Sequence, residues 1–351
     1  YHNFIGAPRG EIPCVAIARA GDGTIACLLP FAIRRAGFLR ELTWLGDELC
    51  DYNAPLLAPS FATNFGQGEF AIVWRNVLTK LQADPRTSFD VVRLTKMARQ
   101  AGGQSNPFVA MLSTTLNASG SYVTSLTRNW DAFYAAKRSS STRSRDRSKR
   151  KRLAECGEIV FQTPQDVQGI ASALDMLMQQ KSAVFAERGI GNIFMRPGYV
   201  EFYRAVATDP RFNRIVHVSK LEVGAETAAV NLGLVFRGRY YYVLSSYTDG
   251  SLARFGPGAI HLRELMRYAI DRGLASFDFT IGDEPYKRDW CDGVSPLYDH
   301  IATATARGAL VALPLQLGQQ IKRAIKQTPA LWALFSKARA VLRRGEAMKR
   351  G

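Results

Sequence analysis

The hexapeptide Arg254-Phe-Gly-Pro-Gly-Ala259 stands between an aromatic, strand-like run and a helix-like segment. Glycines there let backbone N–H groups approach an anion closely, and a helix start adds free donors and a favourable dipole. Arg254, Gly256, Gly258 and Ala259 are therefore candidates to hold a pyrophosphate. The same letters also spell a tight turn with Pro at a helix start. No Lys-Ser/Thr pair follows, which excludes a Walker loop, and the spacing is not a full dinucleotide fingerprint. A nucleophile that must shed a proton needs a carboxylate, His or Tyr within hydrogen-bond reach. Asp51, Tyr52, Asp249, Asp278, Asp283, Tyr286, Lys287 and His217 are the candidates. Each has a structural reading beside the chemical one. Asp51 can cap a turn. Asp278, between two Phe, is either buried and paired or faces a cleft, because a lone buried carboxylate is costly. Lys287 can neutralise a phosphate or pair with Asp283 or Glu284, and His217 can be a satisfied core residue of an apolar strand.

Other chemistries are excluded by what is scattered. Cys14, Cys27, Cys50, Cys156 and Cys291 form no CxxC pair, and His2, His217, His261 and His300 form no HExxH. Neither a disulfide framework nor a metal site is expected, and the pattern suits a reducing cytoplasm. The formal net charge of +16 calls for anionic partners: nucleic acid, an anionic membrane surface or a phosphate-rich cofactor. The uncharged stretch 101–127 is too rich in Gly, Ser, Thr, Asn and Gln to span a membrane.

Two stretches of similar pattern must position these residues. In the first, strands are expected at Cys14–Ala18, Thr24–Ile33 and Leu39–Leu45, with turns at Ala20–Gly23 and Arg34–Gly37. A helix at Glu69–Gln82, a strand at Phe89–Leu94, a helix at Thr95–Ala101 and a strand pair within Phe108–Leu126 complete it. In the second, Ile215–Glu222, Thr227–Phe236 and Tyr240–Ser246 read as strands, Ala259–Arg272 as a helix and Ser276–Thr280 as a short strand. Gly23-Thr-Ile-Ala26 aligns with Ala225-Glu-Thr-Ala228, which suggests an internal duplication. Between the halves, Trp130–Leu153 carries nine Lys/Arg and reads as a mostly helical, solvent-facing linker. Aromatics are absent from it beyond Lys137, so no stacking platform interleaves the charges and nucleic acid is not the expected partner. The tail from Leu310 places Leu315, Leu317, Ile321 and Ile325, then Leu331, Leu334, Phe335, Ala338, Val341 and Leu342, on apolar faces opposite cations. Such a helix lies in a membrane interface or packs on its own protein.

The run Leu221–Trp290 resembles the GNAT-like family of cellulose-biosynthesis-type acetyltransferases, relatives of the FemAB transferases. The resemblance is carried by Ala228-Ala229, Tyr240-Tyr-Tyr242, Gly256-Pro-Gly258, Phe277-Asp-Phe279, Gly282-Asp-Glu-Pro-Tyr-Lys287 and Trp290, and in the first half by Leu45-Gly-Asp47, Asp51-Tyr52 and Pro55. It implies an α/β (α+β) protein of two tandem GNAT-like domains, each a mixed central sheet flanked by helices, with a C-terminal amphipathic helical tail. The domains expected are 1–129, a linker 130–153, a donor-binding domain 154–308 and the tail 309–351. The resemblance also implies an acyl-CoA co-substrate, no permanently bound cofactor, and a thioester lying along Val243, Leu244 and Ser245 where that strand splays from its neighbour. Ala253 stands where the wider superfamily has Gln or Arg. The activity expected is transfer of an acyl chain to an amine, a lipid amine such as a sphingoid base being favoured. Location would be cytoplasmic, peripheral to the inner membrane face through the basic tail. A sugar acetyltransferase, an aminoacyl-tRNA-dependent transferase and a non-catalytic basic scaffold are the alternatives.

Overall fold

The computed structural model describes residues 1–187, 191–328 and 331, and these fall into two compact units. The first comprises Tyr1–Gly120 together with the described residues from Pro296 on, and the second is Ser121–Ser295. Each unit is thus different from the contiguous 1–129 and 154–308 expected, and the second takes in the basic segment.

The first unit begins with a meander, β1 (Ile12–Arg19), β2 (Ile25–Ala36) and β3 (Leu39–Trp44), paired antiparallel in sequence. The turn between β2 and β3 falls at Gly37, whose φ of 62° suits glycine, while Arg34 and Arg35 extend β2. A two-residue strand, β4 (Leu56–Leu57), pairs with β2. Two helices follow, α1 (Phe61–Asn64) and α2 (Gln67–Ala83), then β5 (Val91–Ala98), which runs parallel to β3. β5 replaces the helix expected over Thr95–Ala101. Its Leu94 and Met97 are fully buried, and a strand flanked on both sides satisfies its backbone in the sheet. β6 (Gln100–Ala101) and β7 (Gln104–Ser105) form a small hairpin. Within Phe108–Leu126, where a strand pair is expected, α3 (Pro107–Met111) starts at the Asn106 cap, whose side chain accepts from Phe108 N, and the two strands that follow, β8 (Thr115–Leu116) and one at Ser121–Ser125, pair with other strands and not with each other. The core gathers Phe31, Trp44, Phe70, Trp74 and Phe108 in edge-to-face and tilted contacts 4.9–6.0 Å apart.

The second unit opens with β9 (Ser121–Ser125), α4 (Trp130–Lys137) and α5 (Ser140–Ala154), the last two capped by Asn129 and Ser139. β10 (Ile159–Gln162), α6 (Val167–Glu187) and α7 (Tyr199–Thr208) lead to a second meander, β11 (Val216–Val223), β12 (Glu226–Phe236) and β13 (Arg239–Tyr247). α8 (Pro257–Asp271) returns the chain to β14 (Ser276–Ile281), parallel to β13, and α9 (Pro285–Arg288) and β15 (Gly293–Ser295) follow. The chain then re-enters the first unit as β16 (Leu297–Thr303) and α10 (Ala306–Gln327).

The sheets have one plan. The first runs β1-β2-β3-β5-β16-β8, and the second β10-β11-β12-β13-β14-β9-β15. In both, an antiparallel meander is followed by a parallel strand after a helix, then by two antiparallel strands. The parallel strand carries a bulge with a non-glycine residue at positive φ in each: Lys96 at 56° in β5 and Thr280 at 59° in β14. These paired features are the duplication expected from the sequence, and the fold is a mixed α/β architecture of two GNAT-like sheets flanked by helices. In the first sheet β16 comes from about 200 residues after its neighbour β5, and in the second β9, the earliest strand of its unit, is placed between β14 and β15.

Candidate functional site

In the second unit β13 and β14 pair only over Arg239–Tyr241 and Ser276–Asp278, although both continue. Beyond Tyr241 and Asp278 they splay. The register against β12 passes from Gly233↔Tyr242 to Leu232↔Leu244, so Val243 is an extra, bulged residue at the splay. A bulge re-aims backbone groups away from the ladder, and here it does so facing a gap in the sheet. α8 begins at the same end: Gly256 is its N-cap at φ 68°, and Pro257 occupies the first helical position. A Cβ on Gly258 would lie 2.9 Å from Tyr247 Cδ1, so only glycine lets the helix start this close to β13.

These elements enclose a cleft of about 370 Å³, open to solvent, whose lining includes Tyr242, Ser245, Ser246, Tyr247, Ala253 and Gly256. Gly258, Ala259, Leu262, Arg263, Tyr286, Asp289, Trp290 and Arg138 close it. Of the candidates for anion and thioester binding, Ser245, Gly256, Gly258 and Ala259 line the cleft, and Val243 and Leu244 lie on its strand. Arg254 is not among the lining residues; its guanidinium lies 4.8 Å over the Phe255 ring, while Ala253 lines the cleft in its place. Cations come instead from Arg138, which pairs with Asp289 at 2.7 Å and covers the Trp290 ring at 5.1 Å, and from Arg263, paired with Asp146 at 3.2 Å.

Only Tyr286 of the proton-transfer candidates lines this cleft. Burial raises its phenol above the ordinary tyrosine range, with Tyr242 and Glu284 adding to the rise, so it stays protonated. Burial likewise pushes Tyr242 up to about 12. The other candidates are engaged elsewhere. Asp278 is 1 % exposed, pairs with Arg239 at 3.3 Å and accepts from Thr280 N at 2.8 Å, which holds the β14 bulge. Lys287 is buried, donates to Ile281 O at 2.9 Å and pairs with Glu284 at 2.9 Å. Asp283 accepts from Tyr122 Oη at 3.2 Å, and Asp249 is exposed after β13. His217 lines a different cavity. Asp51 and Tyr52 belong to the first unit, on the loop that follows β3, next to Asn53, which donates to Asp47 at 2.9 Å.

The residues that sequence reasoning missed are Arg138, Tyr242, Arg263 and Asp289. Arg263 is legible as the residue four beyond Ala259 on one helix face, and Asp289 as three beyond Tyr286. Arg138 caps the end of α4, far away in sequence, and no local pattern points to it. Among the described residues no cluster of His, Cys, Asp and Glu could hold a metal ion, and no helix is long and apolar enough to cross a membrane.

Known structures share this architecture at low identity. FemX superposes with a TM-score of 0.59 at 10 % identity, over 88 % of this chain and 91 % of that one. The C-terminal domain of a putative lysylphosphatidylglycerol synthetase from Agrobacterium fabrum gives 0.53 at 11 % identity, over 86 % and 88 %. L-PGS from Bacillus licheniformis gives 0.52 at 12 % identity, over 90 % of each chain. No curated protein matches the sequence. Residues 140–288, the segment that holds β13, the glycine turn and α8, match the family model described as the acetyltransferase (GNAT) domain.

Proposed function

We propose that the protein transfers an acyl group from acyl-CoA to an amine, with the donor in the cleft between β13, the start of α8 and α9. The observation that carries this reading is the bulge at Val243 beside the splay, within one cleft with the Gly256–Gly258 helix start. The free N–H groups of the first turn of α8 suit a pyrophosphate, and Arg138 and Arg263 add charge. The acyl carbonyl would lie at the bulge, where re-aimed backbone N–H groups can stabilise an oxyanion. A neutral amine attacks that carbon, the C–N bond forms and the C–S bond breaks. The departing sulfur takes the Tyr286 proton, and the new ammonium gives its surplus proton to water at the cleft mouth, which restores the phenol.

The acceptor we favour is a lipid amine. α10 exposes Leu310, Leu313, Leu317 and Ile321 along one face, an apolar stripe in a protein of formal charge +16. The rest of the amphipathic tail lies outside the described residues apart from Leu331. One structural neighbour is named as the C-terminal domain of a putative lysylphosphatidylglycerol synthetase, which fits an acceptor at a lipid surface.

One observation favours a second reading, an aminoacyl-tRNA donor. Trp130 and Tyr134 of α4 stack at 5.1 Å and line a pocket of about 180 Å³ with Arg147, Arg150, Arg263 and Arg267. The basic run has no aromatics of its own, but α4 brings them to it, and ring platforms beside guanidinium groups are what single strands bind. Thermal stabilisation separates the readings. Saturation at roughly 100 times the dissociation constant adds about 2.7 kcal/mol. A shift with acetyl-CoA or palmitoyl-CoA supports the thioester donor. No shift with any CoA, together with salt-dependent tRNA binding lost on neutralising Arg147 and Arg150, sinks it in favour of tRNA.

A further inference from the structure

A second cavity, about 460 Å³, lies at the other end of α8, where Arg272 caps the helix. Its lining includes Asn213, Arg214, His217, Tyr268 and Arg272. His217 is 8 % exposed, and its hydrogen bonds can be assigned one by one. Asn231 Nδ2 donates to Leu244 O at 2.8 Å, and since a carbonyl only accepts, the orientation of that amide is fixed. Asn231 Oδ1 then accepts from Tyr240 Oη at 2.7 Å. The phenol has one hydrogen and has used it, so at 2.9 Å it accepts from His217 Nδ1. Burial, helped by the Arg272 charge, lowers the imidazole to about 4, so the ring is neutral and holds a single proton. That proton is on Nδ1. Nε2 is left a bare acceptor, buried and with no partner among the described residues, and such a group destabilises the fold unless a donor reaches it.

The cavity also holds two cations. Neither Arg214 nor Arg272 forms an ion pair among the described residues, and both are exposed. Arg272 lies 5.0 Å over the Tyr268 ring, which stacks on His217 at 4.3 Å. The carbonyl end of α8 disfavours an anion, and two guanidinium groups are what would override it. We propose that this cavity binds a small hydroxylated anion, its phosphate or carboxylate held by Arg214 and Arg272 and its hydroxyl donating to His217 Nε2. The ligand needs both functions: an anion without a donor leaves Nε2 unsatisfied, and a polyol without charge leaves the guanidinium groups idle. This site does not depend on the identity of the acyl donor.

Titration calorimetry of the full chain tests it with four probes: glycerol 3-phosphate, glycerate, n-propyl phosphate and glycerol. Glycerol 3-phosphate or glycerate should bind, which tells a phosphate from a carboxylate ligand. n-Propyl phosphate should bind about tenfold more weakly than glycerol 3-phosphate, and glycerol not measurably. R214Q and R272Q, at exposed positions, should each weaken binding at least tenfold, while R254Q at the opposite end of α8 should leave it unchanged. His217→Phe should bind both phosphates alike; where it fails to fold, the arginine variants decide. Absence of binding by all probes, equal binding of the two phosphates by the unmodified protein, or binding insensitive to R214Q and R272Q would overturn the proposal.

Discussion

Tyr286 lines the cleft and burial raises its phenol, so under the proposed acyl transfer it serves as a proton donor and not as a base. Replacing it with Phe should lower kcat about 100-fold while leaving donor affinity within a few fold, read from thiol release with acyl-CoA. Equal kcat in the variant would assign the proton elsewhere. The rate should show no alkaline decline from this group within the ordinary tyrosine range near pH ~10. The buried histidines make a separate prediction. Burial lowers His217 to about 4 and His261 to about 3, against about 6.5 in the unfolded chain. The unfolded state therefore binds protons first, and stability present above pH ~6.5 is lost as the pH falls toward 4. At about 1.4 kcal/mol per pKa unit, His217 alone contributes on the order of 3 kcal/mol to this loss. Urea denaturation at pH 7.5 and 4.5 should show it, and His217→Gln should flatten the slope. Part of the candidate cleft's lining was legible at this scale because glycines at a helix start and an aromatic strand are local signals. For Asp278 and Lys287 the sequence left a chemical and a structural reading open, and the structure takes the structural one, because the pairs with Arg239 and Glu284 are tertiary facts that spacing does not decide.

Helices and strands were readable where amphipathic periodicity ran long, as in α2, α8 and the two meanders. β5 was readable only in its first half, within the strand expected at Phe89–Leu94: its Thr95-Lys96-Met97-Ala98 run was read as helix, but burial between two strands overrides propensity. The 107–116 region failed for a related reason, since Pro107 after a capping Asn starts a helix within an apolar run. Element packing yields two tests. A Cβ on residue 258 would press into Tyr247 at 2.9 Å, so Gly258→Ala should displace that ring from its place in the cleft. Donor affinity should fall about tenfold with little loss of stability, a split that calorimetry and thermal melting resolve. On β12 a Cβ at residue 233 would sit 2.4 Å from Tyr240 Oη, which is fully buried. Gly233→Ala should cost about 1–3 kcal/mol in urea denaturation, because this hydroxyl has no free space to move into.

At the scale of the whole molecule, the charge of +16 and the exposed stripe on α10 make surface binding a measurable property. Co-sedimentation with phosphatidylglycerol vesicles should weaken roughly tenfold in a Leu313→Asp/Leu317→Asp variant and should fall with added salt. Unchanged sedimentation of that variant would remove the lipid-acceptor argument. The late arrival of β16 has a consequence for synthesis. β5 pairs with β16, and the first unit is one strand short until Leu297–Thr303 has been made, roughly 200 residues after β5. At about 5–20 residues per second that is on the order of 10–40 s during which the β5 edge stands open on a nascent chain. Open edges recruit other strands. A ribosome pause or a premature stop between Ser125 and Leu297 would therefore release a fragment with an unfilled place in its sheet, primed to pair with a second copy of itself.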